Sequence, residues 1–194
     1  MSRKPLASPT NSRQSRTKIV VVGEGKTEKD YIERLRQLDV FPRINFKFVE
    51  GKMDKFQTVK QENLGVEVQL LVDIDNCVRH DVHYQEIHRM LNHPSTKHIT
   101  FYNNYSFETW LLNHSCDFHK PMTQSRQYNP WMKASFGVDA WSSNKTDHNR
   151  DHVMKQITAS SVEKAAERVR SMHHSIDSNP TSNMDQWVQR LKSK

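Results

Sequence analysis

Three acidic residues sit where side chains are held rigidly enough to do chemistry. Glu24 follows the β-branched run KIVVVG and is flanked by Gly23 and Gly25, while Asp73 and Asp75 close the run LLVDID. The two glycines permit a tight turn and a close approach of a ligand to the backbone. In an extended chain, positions i and i+2 project to the same side, so Asp73 and Asp75 are expected to present their carboxylates together. Such a pair resists ionisation unless a cation neutralises it. A hard divalent ion such as Mg²⁺ takes one or two carboxylates, waters and substrate phosphate oxygens. If both runs are parallel strands, their carboxyl ends share one edge of the sheet, where ligands bind. Glu24, Asp73 and Asp75 then converge on a metal site. An isolated Asp-x-Asp also caps helices and turns; the companion glutamate favours the metal.

Other constellations carry less. Gly25-Lys26-Thr27 after a strand suggests a phosphate loop, but that motif needs a glycine five residues before Gly25, and Val20 stands there. His80, His83 and His88 with Cys77 match no usual zinc spacing. His148 and His152 share a helical face beside Asp147 and Asp151, a setting for solvated pairing. His114 follows Trp110 by one turn and suits a hydrogen bond in the core or a contact with phosphate. Trp131, Phe136 and Trp141 with Lys133 and Lys145 can stack on single-stranded nucleic acid. Pinning a long loop to the core is the more ordinary use of such residues.

The elements that must position these residues follow from hydrophobic periodicity. Strands are expected at 18–23, at 43–49 (with Ile44, Phe46 and Phe48 on one buried face), at the VEVQLLVDID run after Gly65, and at 97–102. Between them, TEKDYIERLRQL reads as a helix with Thr27 as N-cap and Tyr31, Ile32, Leu35 and Leu38 inward. Glu28 and Asp30 favour its positive end. Further helices are expected at about 53–63, at 81–92 with Val82, Ile87, Met90 and Leu91 inward, and at 106–114 around Phe107, Trp110, Leu111 and Leu112. Residues 115–147 read as an irregular insertion. One long helix from about 150 to 173 and a last short one with Trp187, Val188 and Leu191 complete the chain. Strands alternating with helices predict an α/β fold around a mainly parallel sheet, flanked by helices and followed by C-terminal helices.

The charge is unevenly spread. The net charge of +7 comes largely from Arg3, Lys4, Arg13, Arg16 and Lys18, while the rest of the chain is nearly balanced. Residues 1–17 are therefore expected to form a basic disordered arm ahead of a single domain at 18–194. Such an arm can hold a nucleic-acid backbone by counterion release, or simply solubilise the chain. Two cysteines make no disulfide framework, and a reducing cytoplasm is the natural setting. Neither an apolar leader nor a membrane-spanning run is present in the sequence, so secretion and membrane insertion are not expected.

Taken together, these blocks resemble a known family. Glu24 followed by Gly25-Lys26-Thr27-Glu28-x-x-Tyr31, then Asp73-x-Asp75, is similar to the RloB-like group of topoisomerase-primase (TOPRIM) type domains. NNYSFETWLLNH resembles that group's Ser-Asn-Pro-x-Phe-Glu-x-Trp-Leu-Leu-Leu-His stretch at Asn104, Phe107, Glu108, Trp110, Leu111, Leu112 and His114. Tyr105 stands at the family's proline and Asn113 at an apolar position. NPTSNMDQWVQRL resembles the closing helix, so the likeness runs from about 17 to 192. The resemblance implies a TOPRIM-like sheet and a metal-dependent nuclease acting on RNA, tRNA among the candidates, or on DNA. Asp73 and Asp75 would hold Mg²⁺ or Mn²⁺, with Glu24 as acid/base or further ligand and Glu108 as another ligand. Lys26 and Lys145 would face phosphate charge. The resemblance also implies a toxic effector of anti-phage defence that works with an ABC- or AAA-type ATPase partner. A non-catalytic adaptor of the same fold, binding an ATPase or nucleic acid, is the alternative.

Overall fold

The computed structural model describes residues 15–75, 81–172 and 175–194. A five-stranded sheet in the order β2-β1-β3-β4-β5 forms its centre. The strands are β1 (Thr17–Gly23), β2 (Ile44–Glu50), β3 (Glu67–Asp73), β4 (Thr100–Asn104) and β5 (Thr181–Ser182). The first four run parallel, and β5 pairs antiparallel with β4. Parallel strands covered on both faces need continuous apolar runs. β1 meets that need, with Ile19, Val20, Val21 and Val22 all fully buried. Each such side chain contributes roughly 1.5–3 kcal/mol relative to exposure.

Alternation along the strands divides this core in two. Val20, Val22, Val68, Leu70 and Val72 pack with α2 (Met53–Glu62) and α3 (Val82–Asn92). Ile19, Val21, Ile44, Phe46, Leu71 and Phe101 pack on the other face with α1 (Lys26–Gln37), α4 (Glu108–Ser115), α7 (Ala159–Arg170) and α8 (Met184–Lys192). The chain leaves β1 for β2 on one side and β3 for β4 on the other, with α1 and α3 on opposite faces. That divergence opens a crevice at the carboxyl ends of β1 and β3.

Helix α4 is enclosed from Glu108 to His114. Two of its polar side chains are satisfied inside: Asn113 Nδ2 donates to the Thr109 carbonyl at 2.8 Å, and Thr109 Oγ1 lies 2.8 Å from the Tyr128 hydroxyl. Buried polar groups without such partners would destabilise the helix. No helix among the described residues is long and apolar enough to cross a membrane.

Several local expectations need correction. The N-cap of α1 is Gly25, and Thr27 lies inside the helix, where it is buried. β3 ends at Asp73, so Asp75 is outside the strand with φ +49°, and the two-residue alternation does not govern it. Val82 opens α3 and is 79% exposed; Tyr84 takes the inward place. The fourth strand begins only at Thr100. The supposedly irregular stretch holds α5 (Asn129–Phe136), with Pro130 in its first turn and Gly137 ending it at φ +74°. The single long helix is two, α6 (Asp147–Gln156) and α7. Thr158 and Ser161 form a reciprocal capping box that starts α7 afresh. Residues 173–174 lie outside the described residues.

Candidate active site

The site is built where β1, β3 and the turn into α4 meet. Glu24 leaves β1 and its Oε1 accepts a hydrogen bond from the Asp73 backbone N–H at 3.3 Å. The two strand ends are thereby stitched together. Gly23 allows this packing, because a Cβ there would come within 2.9 Å of the Phe48 ring. Asp73 Oδ2 accepts from the Phe107 backbone N–H at 3.0 Å, placing this carboxylate at the start of α4. The amino ends of helices favour negative charge. The Asp75 N–H donates to the Tyr105 carbonyl at 2.8 Å, which turns the chain out of β3 toward the same loop. The Asn104–Tyr105 peptide in that loop is cis.

Glu108, the first residue of α4, is 4% exposed and fully bonded. Its Oε2 accepts from Ser106 Oγ at 2.6 Å, and its Oε1 from Trp141 Nε1 at 2.7 Å. Lys145 Nζ stands 2.5 Å from that same Oε1 and 5.8 Å from the centre of the Trp141 ring. Lys52 Nζ pairs with Glu24 Oε2 at 3.1 Å from a largely exposed position. Lys52, Ser106 and Glu28 are not among the site residues expected from the sequence, where Glu28, the most informative of the three, enters only as a helix-start charge and as part of the Glu24–Tyr31 block. Glu28 lies in the first turn of α1, one helical turn after Glu24, and is only 6% exposed. A glutamate four residues beyond a strand-end glutamate was a spacing that could have revealed it.

Electrostatics bind these groups into one system. Burial pushes the Glu28 carboxyl up to about 7, and the Glu108 and Glu24 charges add to the push. Burial also lifts Asp73 well above the ordinary carboxylate range, helped by Glu28, Glu108 and Glu24. Asp75 is raised by burial and by Glu24. Glu108 goes the other way: burial opposes its charge, but Lys145, Ser106 and Trp141 overcome it and hold the carboxylate ionised. Lys145 is raised in return, because Glu108, Asp73 and Glu28 outweigh its burial. Among the described residues, Lys52 and Lys145 are the cations whose charges act on this group of acids, Glu24, Glu28, Asp73, Asp75 and Glu108, with His83 acting on Asp75. An oxygen-only donor set with surplus negative charge fits a hard divalent cation. Among the described residues, no three His, Cys, Asp or Glu side chains are gathered closely enough to ligate one ion as they stand. Lys52 holds one oxygen of Glu24, and its exposure lets it withdraw at little cost.

The remaining candidates are placed elsewhere. Lys26 is exposed and lines a groove of about 530 Å³ between α1 and α6; among the described residues it forms no ion pair with the five acids. His114 is a core residue. Its Nε2 lies 3.2 Å from the Tyr31 hydroxyl and its Nδ1 3.0 Å from Ser161 Oγ, and burial lowers it to about 3. It is therefore neutral and enclosed, which removes the phosphate-contact reading. Phe136 and Trp141 are buried and Trp131 partly so, pinning the 115–147 segment, while Lys133 pairs with Asp139 at 2.8 Å. Arg16 lies 3.6 Å from Asp39, and Lys18 belongs to β1. Arg3, Lys4, Arg13, Cys77 and His80 lie outside the described residues.

The family model described as RloB-like protein matches residues 19–191, which span every element from β1 to α8. No curated protein and no solved structure matches the chain.

Proposed function

This chain belongs to the RloB-like protein family, and we propose that it is a divalent-metal-dependent nuclease cleaving phosphodiester bonds of RNA or DNA. One observation carries the reading: Glu24, Glu28, Asp73, Asp75 and Glu108 act on one another around the carboxyl ends of β1 and β3, and burial with mutual repulsion raises three of them. An excess of buried acid has a purpose if a cation is to be held there. Glu24, Asp73 and Asp75 would hold Mg²⁺ or Mn²⁺. A bound ion of that kind polarises the phosphoryl oxygens and stabilises charge developing on the attacking or leaving oxygen.

The chain's own residues supply the rest. Glu28, which carries a proton near neutrality, can hold or release it at its carboxyl oxygen beside Glu24. Glu108 serves less as a free ligand than as the anchor of Lys145, whose ammonium faces the crevice and can meet phosphate charge. The strand order and the pairing of Glu24 with Asp73 support a TOPRIM-like sheet. The family likeness supports a toxic effector of anti-phage defence, with an ATPase partner and transfer RNA among its substrates.

A second reading has its own observation. Lys52 and Lys145 already neutralise Glu24 and Glu108 within the chain, as suits a non-catalytic adaptor whose acids are structural. Titrating Mg²⁺ or Mn²⁺ while following thermal unfolding separates the two. A ligand bound only by the folded state raises its stability, so the nuclease predicts a metal-dependent rise that Asp73→Asn abolishes. A flat response in the wild-type protein favours the adaptor.

A further inference from the structure

Arg150 is the one buried arginine among the described residues, with its side chain 7% exposed. A buried guanidinium is costly unless its donors are met. Here they are met by three different segments. Nε donates to Asp30 Oδ2 of α1 at 2.8 Å. One terminal nitrogen donates to the backbone carbonyl of Lys145, and the other to Asp147 in the first turn of α6. The neighbouring Asn149 donates from Nδ2 to the Asn144 carbonyl at 2.8 Å, bracing the same loop. On the other side of that loop, Lys145 reaches Glu108, which Trp141 also holds.

The Lys145 ammonium is thus fixed at both ends: at its tip by Glu108, and at its backbone by a guanidinium that is itself clamped to α1. Asp30 lies half a turn after Glu28, so the clamp refers the lysine to the helix that carries a site acid. We propose that Arg150 is a positioning residue, which sets Lys145 against Glu108 and so aims its charge at the bound phosphate. This rests on the role given to Lys145 in the nuclease reading, yet the placement itself can be measured without any cleavage. A simple staple between α1 and α6 is the competing explanation. A staple affects stability and leaves the state of Lys145 alone.

The test is the rate at which an amine-acylating ester labels Lys145 in the full-length protein, read by peptide mass spectrometry, with exposed Lys47 as the internal reference. In the wild-type chain the ion pair with Glu108 protects the amine. In Arg150→Lys, which keeps the charge but loses the fork, Lys145 labelling should rise about fivefold or more relative to Lys47. Asp30→Asn, milder and closer to the surface, should give a smaller rise in the same direction. It keeps the experiment decisive if the arginine variant fails to fold. Unchanged labelling in folded Arg150→Lys, or in Asp30→Asn where the former does not fold, overturns the proposal and leaves a staple. Where cleavage is measurable, Arg150→Lys should lower kcat with little change in KM. Raised labelling with unaltered kcat would overturn the aim at phosphate, leaving Arg150 to set Lys145 against Glu108 alone.

Discussion

Glu28 shows how far a residue's role depends on its neighbours. The sequence offers a glutamate in the first turn of a helix, where the dipole would keep it ionised. The structure encloses it beside Glu24, Asp73 and Glu108, and burial wins. A carboxyl whose folded pKa lies above its unfolded one costs stability once pH rises past the unfolded value near 4.5, and that cost grows until about 7. Removing the charge should therefore help most at high pH. Without metal, Glu28→Gln should exceed the wild type in Tm by at least about 2–4 °C at pH 8, and the difference should shrink toward pH 5. The comparison must be differential, because His114 loses stability in the opposite sense as pH falls below 6.5 toward about 3. Calorimetry of both proteins across that range checks the sign. A gap that widened toward acid would refute the buried-acid description. Gly23 gives a second residue-scale expectation. Gly23→Ala should cost about 1–3 kcal/mol in urea unfolding, since its Cβ meets Phe48 at 2.9 Å.

At the scale of elements, the strands that carry Glu24 and Asp73 were legible, because fully buried parallel strands need unbroken β-branched runs and only such runs lead into these acids. The enclosed helix α4 was legible from its apolar centre. What escaped the sequence was decided by tertiary contact. Asp75 was expected on the strand, but the ladder to β4 runs out after the Ile74 N–H reaches the Asn103 carbonyl, and Asp75, at φ +49°, turns its N–H out of register to the Tyr105 carbonyl. β5 comprises Thr181 and Ser182 alone and has no periodicity to read; it exists through its pairing with Asn103 and Asn104. Helix α5 did carry signals, a proline at its start and a glycine at its end, which were outweighed by weak amphipathicity. The break between α6 and α7 was written as Thr158 and Ser161, a pair that satisfies the first N–H groups of a new helix. Thr158→Ala should cost about 1 kcal/mol by equilibrium unfolding, far more than a polar-to-alanine change inside a continuous exposed helix. A stabilised variant would argue for one uninterrupted helix.

Across the whole molecule, charge and sheet direction are linked. β1 begins at Thr17 and ends beside Glu24, and its seven residues span about 23 Å. The basic N-terminal residues therefore join the domain at the edge opposite the acidic crevice. A polyanion held by Arg3, Lys4, Arg13 and Arg16 would be drawn in from the far side, away from the acids that repel it. Deleting residues 1–16 should leave the Tm unchanged and reduce the slope of log affinity against log salt by up to about 3. An unaltered slope would assign those residues another task. The central claim, that the acids at the strand ends cut phosphodiesters with a divalent ion, is tested most directly by one comparison. Purified wild-type and Asp73→Asn proteins, each verified as folded, are incubated with total cellular RNA and with DNA, with and without Mn²⁺. We expect cleavage that requires Mn²⁺ in the wild type and is lost in Asp73→Asn, because the substitution takes away an anionic oxygen without disturbing the shape of the strand end. Cleavage that Asp73→Asn retains at the wild-type rate, or intact RNA and DNA under every condition, would contradict it.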